Sequence, residues 1–542
     1  MKKIFYLCLI GFLISCQNPT PADLIVYNSK IYTVDSVFSV QEAMAIKDGK
    51  ILEVNTTENI LKNYQSDKKL ELKDKFIYPG INDAHAHLYG LGQNLRGVNL
   101  KEAKSFDEIV QRLVDYQNQY QSEFILGRGW DQNDWDVKDF PTKDTLDFLF
   151  PDTPIALTRI DGHAMLVNQK ALDLAGIDEN TEANGGEIIK ENDKLTGVLV
   201  DNPMSKIKAI IPPLTKAEVK EALLKAEAIA LENGLTSLTD AGLSKEVILT
   251  IKEMHKNNEL KIRINAMVSN TREDIDYFLN KGILKTPRLR VGSVKVYADG
   301  ALGSRGAALK EPYTDQANHF GAMVISLDNF DDLAKKLAKS EFQMNTHAIG
   351  DSANSVVLKT YQKYLNETPD RRWRVEHAQV LDSAEYNYFS KNIIPSVQPT
   401  HATSDMYWAE DRLGEQRIKH AYAYKRLLDE AGVLPLGTDF PVEEVNPMLT
   451  FYAAVSRQDT KGYPENGFQP QNALSRKATL KGMTIWAAFA AFEDQEKGSL
   501  EVGKFADFII LNKDLMTIDV NKVPELKVQK TYINGELVYE NN

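Results

Sequence analysis

FIYPGINDAHAHL, residues 76–88, is an apolar run that ends in two histidines spaced two positions apart. Side chains alternate along a strand, so His85 and His87 fall on one face and both imidazoles can reach a single ion. Outward from this stretch, further β-branched runs alternate with helical segments. The strands predicted are Phe76–Ala84, Leu235–Asp240, Lys261–Val268, Val291–Ala298, Phe342–Thr346, Trp373–Glu376, Ile393–Pro399 and Val433–Thr438. A helix over Thr215–Asn233 illustrates the alternation. Val219, Leu223, Ala226 and Ala230 make one buried stripe, and Gly234 is a plausible stop. Eight strand–helix units predict an α/β fold, a closed parallel barrel rather than an open sheet.

Between the first two strands a barrel needs one helix, yet residues 88–211 intervene. This segment therefore includes an insertion, which at that end of a strand sits over the mouth of the barrel. Two β-rich flanks enclose the α/β middle. AMAIKDGKILEV (43–54) and KTYINGELVY (530–539) are hairpin patterns, turning at Asp48-Gly49 and Asn534-Gly535. ADFIIL (506–511) is an apolar strand. Neither flank alone can bury much; together they could form one small sheet domain with both chain ends meeting. The expected division is 1–15 a leader, 16–75 and 495–542 the two halves of the flanking domain, and 76–494 the barrel.

The 542 residues are 43% hydrophobic and 26% charged, which excludes disordered, collagenous and disulfide-scaffold classes. A net charge of −12 argues against a nucleic-acid partner, because no excess of cations is there to replace counterions. Only Cys8 and Cys16 exist, so a disulfide, a Cys-rich zinc site or a cysteine nucleophile is excluded from the folded body.

Chemistry-bearing residues collect at strand ends. His85 and His87 follow the first strand, His347 the fifth and His377 the sixth; Asp439 follows the eighth and Lys295 lies in the fourth. Any one of these has a bland reading: a lone strand-end histidine is usually a satisfied polar group, the aspartate could cap a turn, and the lysine could pair with Asp83 or Asp299. Independent accidents would scatter over both ends of the barrel. These fall at the C-terminal ends, where barrel enzymes place their chemistry, and offer nitrogen and oxygen ligands suited to zinc or a similar divalent ion.

With PGINDAHAHL (79–88), VKVYADGALGSRGAAL (294–309), NTHAIGD (345–351), RVEHAQ (374–379), LGTDFPV (436–442) and GSLEVGKFADFIIL (498–511), the chain resembles the amidohydrolase superfamily, and within it the family 3 branch of YtcJ-like proteins and N-substituted formamide deformylases. The resemblance implies a (β/α)8 TIM barrel with a composite β-sandwich from both termini. It also implies a centre of one or two divalent ions, zinc foremost, on His85, His87, His347, His377 and Asp439. Lys295 matches the lysine that is carbamylated and bridges two ions in binuclear members; the rival is one metal and a free lysine. A metal lowers the pKa of bound water to about 7 and polarises a carbonyl. Asp439 is assigned to take the water's proton and pass it to the leaving nitrogen.

His163, in the insertion, and His401, after the seventh strand, are candidates to donate to the substrate carbonyl. Trp130, Trp135 and Tyr297 are candidate pocket walls, although aromatics are more often plain packing. Arg305 and Arg372 are candidates for a substrate carboxylate. His255, His319 and His420 receive no role. The favoured expectation is hydrolysis of a non-peptide C–N bond, in an amide or an N-formyl or N-acyl amine, on a small-molecule substrate. Alternatives are a deaminase or lactone/ester hydrolase on the same scaffold, and a non-catalytic ligand-binding lipoprotein. Deaminases of the superfamily usually carry Glu three residues past the fifth-strand histidine; here that residue is Gly350. A homodimer is a further arrangement allowed.

The N-terminus has Lys2 and Lys3, then an apolar run Ile4–Ile14 too short to span a bilayer, then Leu13-Ile14-Ser15-Cys16. This resembles a bacterial lipoprotein signal, cut before a cysteine that becomes lipidated; the alternatives are an uncleaved anchor or a plain secretory signal. The expectation is a periplasmic enzyme whose only membrane contact is a lipid on Cys16. Cells fed a radioactive fatty acid should label the protein, and Cys16→Ala should abolish the label; label that survives the substitution overturns the expectation.

Overall fold

The computed structural model describes residues 18–366 and 370–541; the N-terminal leader and Cys16 lie outside the described residues. Seven strands form a curled parallel sheet: β1 (Ile81–Ala86), β2 (Leu235–Leu243), β3 (Arg263–Val268), β4 (Leu289–Tyr297), β5 (Gln343–Ala348), β6 (Trp373–His377) and β7 (Ile393–Ser396). They pair in chain order, and the short Leu284–Lys285 adds to β4 antiparallel. Along each strand the character alternates. Val294, Val296, Trp373 and Val375 join the apolar cluster shared with the surrounding helices. Ser293, Lys295, Asn345, Arg374 and Glu376, in alternate positions, are buried too. The inner face of the curl is therefore polar, and the helices take the apolar face.

The helix behind β2 runs Lys216–Glu232. Thr215 caps it in a reciprocal pair with Glu218, which satisfies two otherwise free amides of the first turn. Its buried face carries Val219, Leu223, Ala226 and Ala230, as the periodicity predicts.

Two expectations change. The predicted first strand, Phe76–Ala84, is two strands. Phe76–Pro79 pairs with Phe508–Leu511 in a different sheet, and β1 begins at Ile81. Gly80 makes the crossing: a Cβ there would stand 2.1 Å from Thr236 Oγ1, so only glycine lets β1 approach β2 this closely. The predicted eighth strand, Val433–Thr438, contributes a single parallel bridge between Val397 and Leu436. Pro435 has no N–H to donate, and the Leu436 N–H goes to Gly482 O (3.1 Å) rather than to a neighbouring strand. The segment still ties both outer strands: Leu436 O accepts from Ala84 N (3.1 Å), and Pro435 O accepts from Val397 N (3.1 Å).

Strands from the two ends of the chain share a sheet. A six-stranded sheet contains Val40–Gln41, Lys30–Tyr32 and Phe76–Pro79 from one end of the chain and Phe508–Leu511, Val528–Ile533 and Glu536–Glu540 from the other. A four-stranded sheet (Leu24–Tyr27, Ala43–Lys47, Lys50–Asn55, Lys69–Glu71) packs with it around Val26, Met44, Ile46, Ile77, Phe508 and Ile510. Both hairpins turn where predicted, with Asp48, Gly49, Asn534 and Gly535 all at positive φ. Within the insertion, Val98–Asn99, Ile125–Trp130, Ile155–Arg159, Ala164–Val167, Lys194–Asp201 and Gly186–Glu191 form a six-stranded mixed sheet in that spatial order. Among the described residues no helix is long and apolar enough to cross a membrane.

One buried ion pair joins the curled sheet to the terminal one. Arg263 on β3 reaches Asp507 (Nε to Oδ2, 2.6 Å), and Asp507 Oδ1 also accepts the Asn534 N–H at the hairpin turn (2.8 Å). Removing one partner of a buried pair leaves an uncompensated charge. Asp507→Ala should cost about 3–5 kcal/mol, read as a lower guanidinium midpoint. Arg263→Met with Asp507→Leu should recover part of that loss.

Candidate active site

β1 presents Asp83 and His85 on one face, and His87 follows where the strand ends. Asp83 is buried and acts as a clamp. It accepts from His85 N (3.0 Å), Thr438 N (3.1 Å) and Thr438 Oγ1 (2.7 Å). That fastens the 435–439 segment to β1 and delivers Asp439, whose φ of 60° turns it out of the extended path. The Asp439 N–H then donates to His85 O (2.7 Å). The register places Tyr297 opposite His347, and Ala348 opposite His377, so the ends of β4, β5 and β6 stand at one level.

His85 is enclosed. Its Nδ1 lies 2.5 Å from Glu376 Oε2, and Glu376 is itself paired with Arg374 (2.7 Å). Burial pushes the Glu376 carboxyl up, but Arg374 and His85 outweigh it and hold the group well below the usual carboxylate range. An ionised carboxylate can only accept, so His85 Nδ1 carries the proton and its Nε2 presents a lone pair to the site. His377 Nδ1 sits 2.8 Å from Gln398 Oε1, which frees its Nε2 in the same way. Burial, helped by Lys295, lowers His85 to about 4, and burial also drives His347 and His377 well below the ordinary histidine value. All three are neutral imidazoles at pH 7, the form that ligates metal.

Ligand atoms of His85, His377 and Asp439 lie within 4.8 Å of one another. Asp439 Oδ1 is buried and accepts no aligned hydrogen bond, with His87 Nε2 at 3.0 Å and His85 Nε2 at 3.6 Å. Two oriented imidazole nitrogens around an orphaned carboxylate oxygen fit a divalent ion. The remaining expected ligands stand around this trio. Lys295 Nζ is 3.2 Å from His85 Nε2, and the His347 and His377 ring centroids are 4.5 Å apart. Burial lowers the Lys295 amine to about 8 against the pull of Glu376 and Asp439.

A cavity of about 740 Å³ opens over these groups. Its lining includes His87, Lys295, His347, His377, Asp439, His401, His163 and Tyr297. His401 is held by Glu443 (Nδ1 to Oε1, 2.9 Å) with Nε2 3.4 Å from Asp439 Oδ2. His163 is held by Asp201 (Nδ1 to Oδ1, 2.6 Å) and its ring lies 4.9 Å from that of His347.

Four expected substrate contacts, Trp130, Trp135, Arg305 and Arg372, do not line this cavity. Trp130 is buried in the core of the insertion against Trp135 and Phe140, its indole N–H donating to Leu157 O (2.7 Å). Arg305 is paired with Asp315 (2.8 Å). Arg372 precedes β6, at the end opposite His377, and is spent on Asp370 and Asp494. Sequence reasoning missed Glu376, Arg374, Gln398 and Asp83, which orient the site, and Asp201 and Glu443, which hold the two cavity histidines. The signal available for the first two was a charged pair spaced two apart inside a strand that should otherwise be apolar on both faces.

Residues 70–539 match the family model described as the amidohydrolase family. The chain is 33% identical to YtcJ of Bacillus subtilis (strain 168), over 94% of this chain and 98% of that one. It is 24% identical to the N-substituted formamide deformylase of Arthrobacter pascens, over 96% of this chain and 98% of that one. A metal-dependent hydrolase from Pyrococcus horikoshii OT3 has a crystal structure that superposes with a TM-score of 0.74 at 28% identity, covering 92% of this chain and 99% of that one. The chain belongs to the amidohydrolase family and is a hydrolase.

Glu376 is the partner that fixes the His85 tautomer. Such partners typically carry 10- to 100-fold in metal affinity, so Glu376→Gln should weaken zinc by about that factor in a chelator competition. Unchanged affinity would mean that His85 is not a ligand.

Proposed function

We propose that this protein hydrolyses a non-peptide C–N bond, in an amide of the N-formyl or N-acyl amine kind. The observation that carries the reading is Asp439. Its carboxylate stands among His85, His87 and His401, open to a cavity large enough for a small molecule. Held by His85, His377 and Asp439, with His87, His347 and Lys295 as further donors, a divalent ion such as zinc supplies Lewis acidity and an acidified water.

The chain's own groups do the rest. Asp439 takes the proton of the attacking water and returns it to the nitrogen, since an amine leaves poorly unless protonated. Burial pushes the Asp439 carboxyl up, but His401 and His87 outweigh it and hold the group well below its ordinary value, so it starts ionised. His401 and His163, each anchored through Nδ1 by a carboxylate, line the cavity and would orient the carbonyl oxygen. In the binuclear form of the reading Lys295 is carbamylated, and a buried amine lowered to about 8 is the more readily neutral group that reaction requires. The same proposal takes the curled sheet and the 435–439 segment together as a barrel rim, the two terminal sheets as one sandwich, and Cys16 as a lipid anchor on the periplasmic side.

The deaminase alternative loses ground at Gly350, where a Cβ would stand 2.0 Å from Ala308 O, leaving no room for the glutamate such enzymes carry.

Metal should be counted on purified protein, followed by a panel of N-formyl and N-acyl amines, carbamates and lactones. Amide turnover is expected, with two ions in wild type and fewer in Lys295→Ala. Asp439→Asn should keep metal and lose about 10³-fold in kcat. Activity on lactones alone, or an Asp439→Asn variant that keeps most of its turnover, would overturn the reading.

A further inference from the structure

Five cations line the cavity: Lys101, Arg128, Arg159, Lys208 and Lys295. Three are accounted for. Lys101 faces Glu444 at 3.3 Å, Arg159 is locked between Asp131 and Asp161, and Lys295 faces His85. Arg128 and Lys208 are not: among the described residues neither has a carboxylate at ion-pair distance. Arg128 spends one N–H on Ile160 O (3.1 Å), and its Nε is buried without an acceptor.

The local backbone puts Arg128 there on purpose-built geometry. The pairing of Ile125–Trp130 with Ile155–Arg159 slips between Arg128 and Trp130. Gly129 sits in the slip at φ +113°, and a Cβ on it would lie 2.8 Å from Lys101 N. A bulge of this kind re-aims a side chain next to an active site. Lys208 comes from the helix Met204–Ile210, which follows the last strand of the same inserted sheet.

We propose that Arg128 and Lys208 form an anion subsite that takes a carboxylate on the substrate, so that the amides this enzyme cleaves are acidic ones. The inference deepens the amide-hydrolase reading and rests on it. A guanidinium offers parallel N–H donors that match a carboxylate, and an ammonium beside it adds a second charge. Both cations line the same cavity, and Lys208 feels the charge of Arg128. Burial first, and Arg128 second, push the Lys208 ammonium down, with Asp201 opposing, and burial lowers Arg128 as well. An anion between them removes that penalty. Arg128 feels the charge of Asp161 first and of Asp439 second, and Arg128, Lys208 and Asp439 line one cavity.

Two measurements test this on the metal-loaded protein. Glutarate, a plain carboxylate probe, should bind wild type in a calorimetric titration, and Arg128→Gln or Lys208→Met should each weaken it about tenfold or more. No binding to wild type, or an affinity unchanged in both variants, overturns the subsite. In turnover, N-acetyl amino acids carry the carboxylate on the amine half and N-succinyl amines carry it on the acyl half. Wild type should prefer the acidic form of one series over its methyl ester by about 30-fold in kcat/KM. That ratio, rather than any absolute rate, should fall towards one in both variants. Equal turnover of acid and ester in both series overturns the subsite while leaving amide hydrolysis standing. Failure to cleave any amide removes the hydrolysis reading, and the glutarate titration still decides the subsite.

Discussion

The hydrogen bond between His85 and Glu376 is the constraint on which the site depends. Both side chains are fully buried, and so is Arg374 behind them. Burying such groups is costly unless each is paired with good geometry. Here the groups are paired along a chain of contacts: Arg374 faces Glu376 and donates to Ala84 O (2.6 Å) and to Ser396 Oγ (2.9 Å), and Glu376 orients the imidazole, while Arg374 Nη1 is buried without an acceptor. The polar inner face of the curled sheet is thus a scaffold for one ring. His377 and Asp439, which with His85 could hold an ion, gather around the other nitrogen of that ring.

Around it, short irregular stretches do what regular strands cannot. His377 and Asp439 both have positive φ, which lets side chains at two different strand ends turn towards a common point. Asp83 holds one of those turns in place by three hydrogen bonds. Its own burial pushes the carboxyl up to about 7, against the donors from Thr438 and His85. The site is built as much from buried carboxylates that brace it as from the groups that would touch an ion.

Much of this was legible in the amino-acid sequence. The strand pattern located all seven parallel strands within a few residues, because β-branched runs between amphipathic helices have few other homes. His85, His87, Lys295, His347, His377 and Asp439 come together, since strand-end positions in such a sheet share one rim. Other features were not legible, for identifiable reasons. Phe76–Ala84 reads as one run because nothing in composition marks Gly80 as the point where a chain leaves one sheet for another. Val433–Thr438 looks like a strand by apolar content, and only hydrogen-bond accounting around Pro435 shows that it pairs through a single bridge and isolated bonds to its two neighbours. Trp130, Arg305 and Arg372 were chosen by residue type, and type says nothing about which side of an element a residue faces. Arg128 stands two positions before Trp130 in the same strand, and the slip at Gly129 separates the packed residue from the one that lines the cavity.

The terminal sheet has a consequence for how the chain must be made. Strand Phe76–Pro79 pairs with Lys30–Tyr32 on one side and with Phe508–Leu511 on the other, and two more late strands lie beyond Phe508–Leu511. During synthesis the early strands therefore wait, with an apolar face uncovered, until nearly the whole polypeptide has left the ribosome. A chain truncated before residue 507 would lack half of that sheet and the Asp507 partner of Arg263 on β3. Joining the two ends by a short linker and opening the chain in a surface loop, by contrast, would let partners separated by more than four hundred residues fold as neighbours.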